Sequence, residues 1–437
     1  MTAAFLGFHR RMFASVRMHR NYRLFCTGQV VSLVGTWMQN LALAWLVIEL
    51  THSPLAVGLL VFCRLLPFTI LGLVAGVAAD RVDKRRLVMA MQAFALVVAS
   101  ALAVMVFAGI EQLWLVYLLA ALGGAAIAME APARHALTSQ LVAREELPNA
   151  IALNSSLFSA SRIVGPSVAG VIVAVAGVGW CFALNAVSYL AVLAALWLMD
   201  EDALFKSHAT EGRPTLVRGT REGLAYVWRT RRLRLILIIT AVLATVGFNF
   251  HVLVPVLATV TLHGGPEVLG ILSACFGAGA LIGALLSASR GRASWRWLIG
   301  GVLGFSISLL GLALQHSVPA AAALLLVTGV CFTTWTANSE AILQLTAPDR
   351  LRGRVLGIYL WAFGGLAPFG GLLAGWLSEV GGTELAFSVA GLTGLALGLY
   401  ALFELFGSPS LTTVSPERAS GAIAGREPAA TGAAVGE

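Results

Sequence analysis

Charge is what this chain has least of. Asp, Glu, Lys and Arg make up 11% of its 437 residues, less than half the share usual in soluble domains. Hydrophobic residues reach 58% and the mean hydropathy is +0.86, which excludes a soluble globular enzyme. Cysteine is scarce too. Cys26, Cys63, Cys181, Cys275 and Cys331 all fall in apolar runs and form no CxxC pair, so neither a disulfide framework nor a metal site is expected. No GxxxxGK[ST], HExxH or GxSxG occurs, which removes an ATP-driven pump within this chain and the commonest hydrolase chemistries. No short apolar core with a small-residue cleavage site follows the basic start, so residues 1–23 are expected to stay in the mature protein.

What is present is a series of apolar runs at 24–50, 55–79, 87–110, 113–130, 149–178, 180–199, 235–262, 268–289, 297–315, 320–345, 355–380 and 385–406. Each can cross about 30 Å of hydrocarbon at about 1.5 Å per residue. Spans of this length without apolar/polar alternation choose helices over a closed barrel. The expected fold is therefore an all-α polytopic membrane protein with twelve transmembrane helices.

Lys and Arg fall on alternate connections. They occupy the segment before the first span and the loops at 81–86, 134–144, 206–234, 290–296 and 350–354, whereas the loops around His52, Glu111, Gly179, Gly264, Val318 and Gly382 have none. This asymmetry places both termini in the cytoplasm. It also accounts for the net charge of +8, so no nucleic-acid partner is expected, only anionic lipid headgroups.

The polar stretch 200–234 divides the chain into two six-helix bundles, 24–199 and 235–406. It carries a segment with the pattern of an amphipathic interfacial helix. Residues 1–23 form a cytoplasmic N-terminal segment, and 407–437, rich in Gly, Ala, Ser and Pro, read as a disordered tail. The halves look like copies. A slide of 204 positions sets Gln140-Leu141-Val142-Ala143 on Gln344-Leu345-Thr346-Ala347, and duplicated halves place a substrate site at their interface near the midplane.

The charge knot GVAADRVDKRR at 76–86 resembles the loop motif between the second and third helices of the major facilitator superfamily. Gly76, Asp80, Arg81, Lys84 and Arg85 match that pattern. Asp83 stands where the pattern has a second Gly, which is similar to the transmembrane secretion effector branch that includes the enterobactin exporter. EAPARHAL (130–137), LPNAIALN (147–154), RIVGPSVAG (162–170) and PDRLRGRVLGIY (348–359) also resemble that branch. The resemblance implies a secondary transporter working by alternating access, without a cofactor, driven by a proton gradient. It further implies a contact of Asp80 with a helix N-terminus or with Arg352 or Arg354 that latches the halves together at the cytoplasmic side. The competing reading is that the basic run 81–86 only enforces orientation.

Two arginines lie inside spans, where an ionised group is costly. Arg162 is about 20 Å from one end of its helix and Arg64 about 14 Å from the opposite end. No acid is expected so deep: Glu49, Glu130 and Glu340 fall near span ends. Either the arginines line a cavity suited to anionic or neutral amphiphiles, or each pairs with helix-end carbonyls, Arg64 alternatively with Glu49. Gln29, Ser32, Thr36 and Asn40 form a polar stripe on the first span. The superfamily's cavity is lined by its first, fourth, seventh and tenth helices, which adds Tyr117, Asn249, His251, Thr334, Trp335 and Asn338 as candidates. Helix–helix hydrogen bonding is the competing role for all of these. Substrate or coupling candidates are thus Gln29, Asn40, Arg64, Glu130, Arg162, Asn249, His251, Trp335, Asn338 and Glu340. Gly165, Pro166 and Gly170 resemble the fifth-helix motif of antiporters and are expected to let that helix bend. The fourth-helix Arg of drug–proton antiporters is missing from 113–129.

Together these observations call for a proton-coupled exporter of a small amphiphile, such as a siderophore, drug or secondary metabolite, in the bacterial cytoplasmic membrane, acting as a monomer. The alternatives are an importer and a non-transporting receptor on the same fold.

Overall fold

A computed structural model describes the backbone of residues 14–205, 216–290 and 292–406, and side chains there except those of 14, 73, 74, 76–81, 216–220 and 349. The described residues form helices and their connections, with no strand among them. The first half comprises α1 (Arg20–Thr51), α2 (Pro54–Arg81), α3 (Lys84–Phe107), α4 (Leu113–Leu141), α5 (Leu147–Ala176) and α6 (Val178–Trp197). A linker helix, Leu216–Arg229, precedes the second half. That half comprises α7 (Arg231–Val246), α8 (Phe250–Val256), α9 (Pro266–Arg290), α10 (Trp295–Ala313), α11 (Val318–Thr346), α12 (Asp349–Gly364) and α13 (Ala367–Phe406).

Local chemistry explains several boundaries. Asp83 caps α3, its Oδ1 accepting from the Arg86 backbone N–H at 2.8 Å, which gives this residue a structural job that its place in the motif did not suggest. Gly177 turns the chain between α5 and α6 at φ 89°, in the region where a side chain is disfavoured.

Among the described residues, eleven helical stretches are long and apolar enough to cross a membrane. The last, Arg350–Leu405, has 56 residues, about 84 Å at 1.5 Å per residue, and Gly381 and Gly382 leave helical geometry within it. Two crossings fit that stretch, in keeping with the expected twelve. Large apolar side chains such as Val104, Val187, Leu285 and Phe403 stay exposed on outer faces, as lipid contact requires.

Two spans differ from their sequence outline. The run 235–262 is not one rod: α7 ends at Val246, and after Gly247–Asn249 the chain resumes as α8 and a π turn, Leu257–Thr261. Asn249 sustains the break by donating its Nδ2 to the Thr245 carbonyl at 2.8 Å, satisfying one of the acceptors a helix end leaves open. In the fourth span the expected end at Glu130 is wrong. α4 runs on through Pro132 to Leu141, because Ala133, Leu137 and Leu141 bury a continuing apolar face.

Within the first half α1 packs on α5 and α6, and α4 on α2 and α3; in the second α11 packs on α9 and α10. The halves meet along two seams, α5 with α9 and α2 with α13. The basic connections gather at one end of each half. In the first, Asn21 holds the Asp200 backbone, His19 pairs with Glu146, and Arg85 pairs with Glu201. In the second, Arg350 and Arg354 reach Glu222 of the linker helix and Ser294 is held by Asn338. This end is called the basic face below.

Candidate transport cavity

Between the halves, at mid-depth, lies a cavity with about 640 Å³ of empty space including its open mouth. It is built where α1, α5, α8 and α9 face one another, with Trp37, Asn40, Arg162, Phe250, His251 and Phe276 among its walls. His251 follows directly on the break, as the second residue of α8. A second lobe, lined by Leu65, Phe68, Asn249 and Phe363, shares Phe248 and His251 with the first. The His251 ring is exposed to this space and stacks on Trp37 of the other half, with centroids 6.0 Å apart and planes at 20°.

One end of this space is sealed. A Cβ built on Gly58 would stand 3.0 Å from the Cα of Gly375, and one on Gly170 would stand 3.0 Å from the Cα of Gly270. At these two crossings the backbones touch because no side chain intervenes. Above them Glu379 accepts from Ser53 Oγ at 2.8 Å and from the Leu55 N–H at 3.1 Å. Nearer the basic face Thr69 donates to the Gly365 carbonyl at 2.9 Å, and Gly277 approaches the Arg162 carbonyl. The seal lies at the end away from the basic face.

Among the described residues neither Arg162 nor Arg64 has an ion-pair partner. Arg162 Nε is buried with no hydrogen bond, and its guanidinium lies 5.3 Å from the centre of the Phe276 ring. Neither helix-end carbonyls nor Glu49 take these charges. Arg64 heads a narrower crevice inside the first half, beside Thr36, Gln39 and Tyr189.

The fourth helix corrects two expectations at once. Glu130 is buried at 7% exposure, well inside α4, and Arg134 stands one turn later with its Nε 4.0 Å from Glu130 Oε1. Arg134 Nη1 also donates to Gln29 Oε1 at 3.4 Å. The helix expected to lack an arginine has one, in a buried cluster of Gln29, Glu130 and Arg134. EAPAR shows the i, i+4 spacing that could have revealed it; ending the span at Glu130 hid it.

A model of the transmembrane secretion effector family matches residues 12–413. The chain belongs to this family. Among curated relatives, the staphyloferrin A transporter of Staphylococcus aureus is 26% identical, aligned over 87% of this chain and 95% of its own length. The multidrug efflux pump Tap of Mycolicibacterium fortuitum is 27% identical over 84% and 92%. The solved structure of a POT family transporter in complex with a thioalcohol-conjugated peptide has the same fold, with a TM-score of 0.71 at 11% identity over 90% of this chain and 97% of that one. Family and relatives are secondary transporters of the major facilitator type rather than enzymes.

In this secretion effector the other candidates separate. Of the polar stripe on α1, only Asn40 lines the cavity between halves; Thr36 faces the crevice with Arg64, while Gln29 and Ser32 are buried in their own bundle. Trp335 is fully buried against Phe305 and Phe332. Asn338 accepts from the Ser294 N–H and donates to the Thr334 carbonyl. Glu340 accepts from Gln344. None of these three is among the cavity's lining residues: Trp335 and Asn338 face the second bundle's interior, and Glu340 is bonded along its own helix. Asn249 lines the second lobe while supporting the helix break. α5 runs unbroken past Gly165 and Pro166: Gly165 lets α1 approach at Trp37, whereas Gly170 makes the crossing to the other half. Trp37, Phe248, Phe250 and Phe276 were missed by sequence reasoning, since aromatics in apolar runs carry no sign of which side they face.

The side chains of Gly76, Asp80 and Arg81 lie outside the described residues. Arg85 is directed into its own half, its Nε donating to the Leu196 carbonyl at 2.7 Å. Arg354 pairs with Glu222, and Arg352 Nε donates to the Gln344 carbonyl at 3.0 Å. Arg85 is thus held within its own half, and Arg354 by the linker helix.

Proposed function

We propose that this chain is a proton-coupled exporter of small amphiphilic molecules in the bacterial cytoplasmic membrane, acting as a monomer by alternating access. The basic face and both termini lie in the cytoplasm, so this conformation is inward-open. The observation that carries this reading is the mid-depth cavity between the halves, sealed at the end away from the basic face by the Gly58–Gly375 and Gly170–Gly270 crossings. Substrate enters from the cytoplasm, the seams loosen on the sealed side, and the basic ends close through the Asp80 latch. The names of the relatives, a siderophore transporter and a multidrug pump, support outward movement of amphiphiles. Among the described residues Glu130 is the only buried carboxylate, and it carries the coupling proton, with Arg134 holding its charge between transfers.

Everted membrane vesicles test this. With the vesicle lumen made acidic, so that protons leave as substrate enters, vesicles containing the protein should accumulate a fluorescent siderophore or macrolide, and a protonophore should abolish accumulation. Accumulation in right-side-out vesicles alone would make the protein an importer, and none in either orientation across the panel would overturn transport of this class.

A further inference from the structure

The cavity has a chemical sign. Among the described residues its two lobes are lined by Arg162, His251, amides, a hydroxyl and apolar groups, and by no carboxylate, and Arg162 is the only fixed charge on those walls. Its Nε is buried without a hydrogen bond, although a guanidinium taken out of water ordinarily demands acceptors for its donor fork. Phe276 lies against one side of the group, its ring centre 5.3 Å from the guanidinium carbon. Arg162 thus gives the cavity wall a positive charge at mid-depth. Beside it stands an aromatic wall: Phe248 stacks on Phe332 with centroids 4.3 Å apart, and Phe250 stacks on Phe276 at the same spacing.

We propose that the cavity takes carboxylate-bearing amphiphiles, with Arg162 as the anchor of the carboxylate. Two oxygens on one carbon match the guanidinium fork, which a point cation such as Lys does not reproduce. The apolar body of the ligand lies along Phe248, Phe250 and Trp37, and the His251 ring, open to both lobes, sits where it can donate a further hydrogen bond. A cationic ligand meets only like charge at this depth, so the selectivity comes from repulsion as well as attraction. This inference rests on the export reading for its biological meaning, but the binding chemistry stands separately.

The test uses the full chain in nanodiscs and three probes of nearly equal shape: 2-naphthoate, 2-naphthamide and 2-(aminomethyl)naphthalene. Binding is read from tryptophan fluorescence, with empty nanodiscs subtracted. Wild-type protein should bind naphthoate about ten- to a hundredfold tighter than the amide, the range expected for a charge-assisted pair, and the amine most weakly. Arg162→Gln should erase that preference while the amide binds as before, which shows the cavity intact; Arg162→Lys should restore part of it. No measurable naphthoate binding, equal binding of the three probes, or a preference surviving in Arg162→Gln would overturn the proposal. Vesicle transport failing while the carboxylate preference holds would remove the export reading alone. Transport succeeding without the preference would remove the substrate class alone.

Discussion

Gly58 and Gly375, on different halves, cross so closely that a methyl group on either would lie within about 3 Å of the other's Cα. The seal on the arginine-poor face is made of backbone, and its tightness depends on the absence of two side chains.

Gly58→Leu should therefore insert and express normally yet lose at least about tenfold in transport, because the α2–α13 seam cannot close without displacing main chain. Gly170→Leu should do the same at the α5–α9 seam. Quantitative efflux at matched expression is the check, and wild-type rates in both variants would show that the seal does not need this approach.

Glu379 reaches across the same seam to Ser53 and to the first N–H of α2, that of Leu55. Because the carboxylate is exposed, its loss in Glu379→Gln should cost only about 0.5 kcal/mol, a roughly twofold shift away from the sealed state. Spin labels on the 108–112 and 314–317 connections, measured by double electron–electron resonance, should show the longer-distance population growing by that factor.

The Glu130–Arg134 pair calls for a double-mutant cycle. Arg134→Gln leaves a buried carboxylate uncompensated and should cost on the order of 2 kcal/mol or more. Adding Glu130→Gln should recover most of that stability but no proton-driven transport. Thermal unfolding in detergent and protonophore-sensitive uptake separate the two effects. Coupled transport in the double variant would place the proton elsewhere.

Asp80 and Asp83 should part company. Asp83→Ala removes the cap of α3, at about 1 kcal/mol, and should leave efflux largely intact. Asp80→Asn should insert normally and lose transport. The reverse pattern would mean that the motif's value lies in the cap rather than in a latch.

Much of the architecture was legible because it follows from segment-level physics. Apolar runs of sufficient length become helices whatever surrounds them, and the repeat at Gln140–Ala143 and Gln344–Ala347 marks the ends of α4 and α11, each of 29 residues. Arg64 and Arg162 stood out because an ionised group in an apolar run is costly anywhere. The errors came where local signals were overruled by packing. Glu130 and Pro132 read as the end of a span, yet α4 continues because its apolar face stays buried. The run 235–262 read as continuous, yet three residues break it and Asn249 holds the break.

The sequence by itself determined a helical membrane protein in two halves, with charge sorted to alternate connections and two arginines inside the spans. Only the tertiary structure decided that Arg162, His251 and Trp37 share one cavity, that Gln29 and Arg134 form another cluster, and that Trp335 and Asn338 face away from both. The physical reason is that a 3.6-residue period shows that a side chain points away from lipid, but not whether it meets its own bundle or the opposite half. That choice is made by helix rotation and close backbone approach, at contacts such as Gly170 on Gly270, between residues about a hundred positions apart.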